Sequence, residues 1–240
     1  MVLLVVIAAL GASFLRARPA PAQPGSLVRT VTFQGARFDV VELPLDAWDV
    51  HIGWAKGGTR LADVEGAVRT NAGIFEPGFT PTGLLVSGGT ELRPLELREG
   101  EGNFYLQPNG VFTLSNGTAA VREAGEYDGG GVRDATQSGP LLVRDGQLHP
   151  RFNRASETRA LRSGVGVRGR MVVLAISRDD VNLWTFASLF RDELKCPAAL
   201  YVDGVISALW AADAGREADL QKGPFAGVIT ATPSVLGAGH

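Results

Sequence analysis

The sequence predicts a single α+β domain of mainly antiparallel sheets, and three observations carry that prediction. Short alternating apolar runs separated by turn dipeptides fill most of the chain. Only one stretch keeps a helical period over several turns. The 240 residues are 45% apolar and 20% charged, enough for one compact core and incompatible with a disordered tail protein. Lys plus Arg total 23 against 25 Asp plus Glu, so no global positive field exists to hold nucleic acid or an acidic membrane surface. The single Cys196 excludes an intrachain disulfide, and His51, His149 and His240 lie too far apart for a zinc motif.

Taken in chain order, Val2 to Leu15 is an apolar run of about 14 residues, short for crossing a ~30 Å hydrocarbon layer but suited to a signal peptide. Ala20-Pro21-Ala22 supplies small residues for a cleavage site before Gln23, although no basic stretch precedes the run. Residues 1–22 are therefore expected to be a signal peptide or N-terminal membrane tether. The protein would then be exported, periplasmic or extracellular, and would meet the membrane only through an uncleaved segment.

The domain proper is expected over residues 27–222. Leu27–Phe33 and Arg37–Leu43 alternate around Gln34-Gly35-Ala36, a hairpin signal that stops at Pro44. Thr59 to Ala67 reads as a short helix with Leu61 and Val64 inward, and Val68 to Phe75 returns to strand. Gly83–Ser87 and Glu91–Leu95 flank Gly88-Gly89. Phe104–Leu106, Val111–Leu114 and Ala119–Arg122 continue the meander through Pro108-Asn109-Gly110 and Asn116-Gly117. Glu123 to Asp134, with three successive glycines, reads as a mobile loop and the best placed internal hinge or lid. Thr136–Val143 and Gln147–His149 flank Asp145-Gly146, and Gly164–Val167 and Met171–Ile176 flank Arg168-Gly169. Leu183 to Leu194 is the one strong helix, capped by Asn182 and ended by Cys196-Pro197. Ala199–Val202 is a short apolar strand running into Asp203-Gly204. Residues 223–240 read as a Gly/Pro/Ala-rich tail.

Four clusters offer chemistry, and each has a plainer structural reading. Asn71-Ala72-Gly73 sets a donor-acceptor amide beside small residues that admit a ligand to the backbone, and it reads equally as a turn. Gln137-Ser138-Gly139-Pro140 is a way of exposing backbone N–H groups to an anion, or simply a bend. Arg151, Arg154, Arg159 and Arg162 precede a glycine-rich strand; guanidinium forks match phosphate, yet charge runs usually form solvated faces. Asp203-Gly204, with Ser207 three residues on, is the sharpest, because an acid at the end of an apolar run must be solvated, paired or functional. No GxSxG or GxxxxGK[ST] pattern occurs. Trp48, Trp54 and Trp184 are expected in the core, with Trp210 a candidate sugar platform.

Taken together, TNAGIFEPGFTPTGLLVSGG (70–89), GNFYLQPNGVF (102–112), TQSGPLLVRDGQLHPRF (136–152), RSGVGVRGRMVVLAIS (162–177) and CPAALYVDGVIS (196–207) resemble the phosphodiester glycosidase family over nearly all of residues 30 to 212. The resemblance implies mixed sheets packed around a central helix, and an enzyme that splits the bond between an anomeric carbon and a phosphodiester oxygen. It carries the family's motifs onto Asn71 and Gly73, Ser138 and Gly139, Arg162 and Gly164, and Asp203 with Gly204. Two positions depart: Val205-Ile206 replaces a Gly-Gly pair after Asp203-Gly204, and Ser163 stands where Asn is expected. The chemistry of a phosphate leaving group, which needs little protonation, then assigns Asp203 as base or nucleophile and Glu76 as second carboxylate. Arg162, Arg159 and the N–H groups around Ser138-Gly139 would hold the phosphate, and Asn71 a sugar hydroxyl or acetamido group. Gln137 and Ser207 complete the candidate binding set. Carboxylates and carbonyls near Asp203 suit Ca²⁺ or Mg²⁺, but no ligand spacing demands either, so no cofactor is required and the metal stays unassigned. Two readings from other classes remain open: a non-catalytic module for anionic envelope glycans, and a phosphodiesterase cleaving P–O.

Overall fold

The computed structural model describes residues 27–214 and 216–234. The expected signal segment, residues 1–22, lies outside the described residues. The opening hairpin forms as read, Arg29–Phe33 against Ala36–Pro44, turning through Gln34 and Gly35, both at positive φ. It edges a seven-stranded antiparallel sheet in which Ala36–Pro44 is followed in space by Met171–Ser177, Ser163–Arg168, Ala198–Asp203, Leu141–Arg144 and Gln147–Leu148. A five-stranded sheet orders Thr118–Glu123, Gly110–Ser115, Asp134–Ser138, Leu85–Ser87 and Thr90–Arg93. A four-stranded sheet orders Leu209–Ala211, Val68–Asn71, Phe225–Pro233 and Trp48–Thr59.

Period-two alternation gives the large sheet two apolar faces. Val41, Leu43, Val165, Val172, Leu174, Leu200 and Val202 point to one core, where residues of the other two sheets, such as Phe112, Leu114, Ile52 and Ile229, meet them. Phe38, Val40, Val173, Ala175, Ala199 and Tyr201 point to the other, which the helical segment covers with Phe186, Leu189, Phe190 and Leu194. Gly164 and Gly166 make that approach possible: a Cβ on either would fall within 3.0 Å of Phe190, and on Gly166 also 2.8 Å from Cys196 Sγ. The expected sheets are present and mainly antiparallel. The helix, however, lies on the outer face of the seven-stranded sheet, not in the core that the three sheets share.

Several local expectations are corrected. The Gly/Pro/Ala-rich tail contains the strand Phe225–Pro233, inserted between Val68–Asn71 and Trp48–Thr59. Its β-branched run, Val228, Ile229, Thr230 and Thr232, outweighs the tail-like composition around it. Trp48–Thr59 is itself a twelve-residue strand, and the helix expected at 59–67 shrinks to one turn at Leu61–Asp63. The helix at Leu183 forms with Asn182 Oδ1 accepting from Thr185 N at 2.8 Å, but after Ser188 it widens into a π-helical stretch, Leu189–Glu193. Thr136–Val143 is not one strand: Gly139-Pro140 carries the chain from the five-stranded to the seven-stranded sheet. The glycine loop after Glu123 borders a separate recess with Val111 and Thr113, away from the cleft described next.

Candidate active site

A cleft of about 530 Å³ opens at one end of the helix-covered face of the large sheet. Its lining brings together Glu76, Arg162, Asp203 and Gly204 from the expected set, with Arg151 from the arginine run. Asp203 reaches it because the strand pairing shifts there: Ser163 pairs with Asp203 and Gly164 with Tyr201, so Val202 is an extra residue on its strand. Such a bulge turns a strand end and re-aims its side chains. The carboxyl is half-buried, and Oδ1 accepts from Gly204 N at 2.6 Å. Burial pushes it up to about 6, with that hydrogen bond working in the opposite direction.

Arg162 forms part of the cleft floor and is only 3% exposed. Its Nε donates to Val181 O at 2.7 Å, one terminal nitrogen to Tyr201 Oη at 3.4 Å and the other to Thr158 O at 3.4 Å. Three of the five guanidinium N–H bonds are thereby spent on neutral acceptors, and two remain. Among the described residues no carboxylate lies in ion-pair range of this group, whereas the guanidinium of Arg178, whose side chain is also largely covered, is paired with Asp39 and Asp219. Burial lowers the Arg162 pKa, the cost of keeping a cation where water is scarce. A buried, fixed guanidinium with N–H bonds to spare at the bottom of a cleft has the chemistry to seat an anion.

Tyr201 sits under the same seat. Its hydroxyl receives from Arg162 and, at 3.5 Å, from Asn103 Nδ2, which leaves its own proton to donate. Burial pushes its pKa up to about 12, so it stays a neutral phenol. Gly204 is needed here, since a Cβ would fall 2.8 Å from that hydroxyl. Thr82, also on the wall, is buried with a hydroxyl that has no hydrogen-bond partner among the described residues. Glu76 is exposed at the rim, on the short strand Phe75–Glu76 paired with Thr80–Pro81.

The remaining expected binding residues do not line the cleft. Asn71 is buried: Nδ2 donates to Ser163 Oγ at 3.2 Å and Oδ1 accepts from Ala208 N at 3.0 Å. Ser207 Oγ bonds Ser163 Oγ at 2.8 Å, and Ser138 Oγ donates to Val202 O at 2.9 Å. Gln137 Oε1 accepts from Leu84 N and Glu96 N, and its Nε2 donates to Glu96 O. Gly73 and Gly139 are close-packing glycines, where a Cβ would meet Gln137 O at 2.4 Å and Phe104 O at 2.5 Å. Gly164 admits the helix rings, and Arg159 is exposed outside the cleft lining. The expected sugar contact of Asn71 and phosphate contacts of Ser138, Gly139 and Arg159 are thus corrected: Asn71 and Ser138 bond inside the protein, Gly139 packs against Phe104, and none of the four lines the cleft.

The tryptophan expectations also change. Trp184 is half-buried on the cleft wall, Trp54 is exposed, Trp48 packs half-buried at the core edge, and Trp210 lies beneath Arg69, 4.6 Å from its guanidinium, outside the cleft lining. Asn103, Tyr105 and Tyr201 were hidden from sequence reasoning. The stretch Phe104–Leu106 reads as a strand but forms turns over the cleft, and a tyrosine inside an apolar strand reads as core.

The family model described as phosphodiester glycosidase matches residues 63–237. An uncharacterised Escherichia coli K12 protein, YigE, is 30% identical over 184 residues, covering 74% of this chain and 71% of that one. The catalytic domain of zebrafish N-acetylglucosamine-1-phosphodiester α-N-acetylglucosaminidase, solved in a form auto-inhibited by its pro-peptide, superposes with a TM-score of 0.62 at 14% identity, covering 85% of this chain and 81% of that one. A hypothetical protein from Synechocystis superposes with a TM-score of 0.56 at 15% identity, covering 85% of this chain and 61% of that one. With most of its length matched by the family model, and a relative at that identity over nearly three quarters of it, the chain belongs to the phosphodiester glycosidase family, and by that resemblance is a hydrolase-like enzyme.

Proposed function

We propose that this protein is an exported hydrolase that cleaves the anomeric C–O bond of a sugar-1-phosphodiester, drawn from cell-envelope glycans or nucleotide-sugar-like compounds. The observation that carries the reading is the shared cleft of Arg162 and Asp203: a buried guanidinium with N–H bonds to spare and a carboxylate poised near pH 6. The phosphate sits on Arg162, with the Tyr201 hydroxyl as a further donor. As the bond to the anomeric carbon breaks, both electrons leave with the phosphate, and donors already in place stabilise it without reorganising. Asp203, ionised above about pH 6, acts as base or nucleophile at the carbon. Glu76 is the second carboxylate from the rim, and water supplies the oxygen that ends on the sugar. The residue set asks for no cofactor.

The test is hydrolysis of a panel of glycosyl phosphodiesters, including N-acetylglucosamine 1-phosphate esters, in ¹⁸O water with and without EDTA. Label in the released sugar is the expected result. Label in the phosphate makes the protein a phosphodiesterase, and binding without turnover makes it a glycan-binding module. Loss of turnover with EDTA overturns the cofactor-free mechanism.

A further inference from the structure

An exposed apolar side chain stands at the mouth of the cleft, and a second follows it in the chain. Val205 is 73% exposed and Ile206 42%, immediately after the catalytic Asp203-Gly204, and Val205 lines the cleft. Ile206 lies just outside that lining, adjoining Val205, whereas Trp54, Leu92 and Leu97 are neither in the lining nor next to a residue of this kind that is, and scattered single residues need no explanation. An adjacent pair continuous with a site does.

The turn that presents them is anchored. Ser207 N donates to Gly204 O at 2.9 Å, Ser207 Oγ bonds Ser163 Oγ at 2.8 Å, and Lys222 Nζ donates to Ser207 O at 2.8 Å. Both residues are β-branched and therefore stiff at χ1, so the apolar rim is pre-organised at little entropic cost. Leu183 and Trp184 continue it along the cleft wall. Meanwhile the polar demands of a sugar phosphate are met deeper, at Arg162, Tyr201 and Asp203. With the phosphate on the floor and the reacting carbon at Asp203, the part of the substrate beyond the phosphate leaves through the mouth. A second sugar there would find no hydrogen-bonding group on Val205 or Ile206, whereas a hydrocarbon would find surface to bury.

We propose that the Val205-Ile206 rim selects phosphodiesters whose alcohol on the far side of the phosphate is an alkyl chain rather than a second sugar. This rests on the glycosidase reading above. Water adds its oxygen to the anomeric carbon as the carbon–oxygen bond to phosphate breaks. The products are the free sugar and an alkyl phosphate that keeps the departing electron pair, with the proton from water passing to solvent.

The experiment compares the methyl and hexyl esters of N-acetylglucosamine 1-phosphate on the full chain and on the double variant Val205→Thr/Ile206→Thr, which keeps the β-branched shape. Expected is a preference for the hexyl ester of about 10-fold or more in kcat/KM, abolished in the double variant while methyl-ester turnover stays within about 2-fold. Equal kcat/KM for the two esters in the wild type, or a preference that survives the double substitution, overturns the proposal. Calorimetry with the same esters on Asp203→Asn separates the two readings. Hexyl binding favoured by the wild-type rim supports the inference even where neither ester is hydrolysed, and equal binding overturns it. Partitioning to sugar-free phosphatidylglycerol vesicles that depends on Val205 and Ile206, with no ester preference, would make the rim a membrane contact and overturn it too.

Discussion

The polar residues of the family motifs fall into two regions a few residues apart in sequence. The cleft holds Arg162 and Asp203, whose donors and acceptors are not exhausted inside the protein. Away from its lining, Asn71, Ser163 and Ser207 bond one another and Ser138 bonds Val202 O, so that each side chain finds a protein partner. Arg162 immediately precedes the strand that Ser163 opens, yet the two belong to different regions: the Arg162 side chain bonds Val181 O and lines the cleft, while Ser163 Oγ bonds Asn71 and Ser207. The difference teaches that a motif residue is assigned by its hydrogen-bond inventory, not by its place in the motif. The network fixes the ends of two strands and the 204–207 turn, and the cleft uses what they hold in place.

The largest effect expected is from Asp203→Asn, which should lower hydrolysis by at least about 10³-fold while keeping the fold. The same substitution has an opposite sign in stability. Asp203 titrates above the ordinary carboxylate range, so the native state keeps its proton longer than the unfolded chain. Stability therefore falls as pH rises from about 4 to about 6 and stays reduced above. Asparagine removes the titration, and Asp203→Asn should be more stable than wild type in urea melts at pH 7.5, by about 1–3 kcal/mol, with the advantage gone at pH 4. A variant less stable at pH 7.5 would mean the carboxylate is held by a stabilising partner, and the contrast between spent and unspent groups would break at its centre.

Next is Arg162→Lys, expected to cost about 10²–10³ in kcat/KM on phosphodiesters and much less on aryl glycosides. Lysine keeps the charge but loses the fork that reaches Val181, Thr158 and Tyr201 together. Equal losses on both substrate types would move Arg162 from the cleft region into the scaffold. Asn71→Ala sharpens the other side. It leaves Ala208 N without its acceptor in the interior and removes one of the donors to Ser163 Oγ, so urea melts should show a loss of about 1–3 kcal/mol, with kcat per folded molecule little changed. Unaltered stability with a raised KM would return Asn71 to the sugar.

How much of this was readable in the sequence depended on where the deciding information lay. Gln34-Gly35 and Asp145-Gly146 set hairpins through local backbone geometry, and both turns have positive φ at each residue. Asp203 stands out in the sequence because an acid ending an apolar run must be solvated, paired or functional, whereas Arg162 lies in an arginine run that reads as a solvated face and is singled out only by the family resemblance. Trp48, Val50 and Ile52 alternate with polar neighbours, a strand signal that marks the first half of Trp48–Thr59. Phe225–Pro233 lay hidden under a composition argument, although its strand propensity is local. Other features were beyond reach. Whether Asn71 faces a ligand or Ala208 depends on a residue 137 positions away, and the polar end of Tyr201 gains its meaning only when Asn103 and Arg162 fold against it. Ser163 stood out as a departure from the expected asparagine, yet its role as the meeting point of Asn71 and Ser207 is a tertiary fact.

The smallest effect tests the border between the two regions. Tyr201 is core by burial and cleft by its hydroxyl, which accepts from two donors and keeps one proton. Tyr201→Phe retains the ring that packs beside Ala199 under the helix and removes only the oxygen. If the hydroxyl donates to the phosphate, kcat/KM should fall about 5- to 10-fold on phosphodiesters, with little change on aryl glycosides and little change in Tm. If it merely satisfies Arg162, the loss should appear as lower stability, because a buried guanidinium N–H loses its acceptor. Measuring both quantities on one variant decides which region owns the residue, and with it whether the anion seat has one donor group or two.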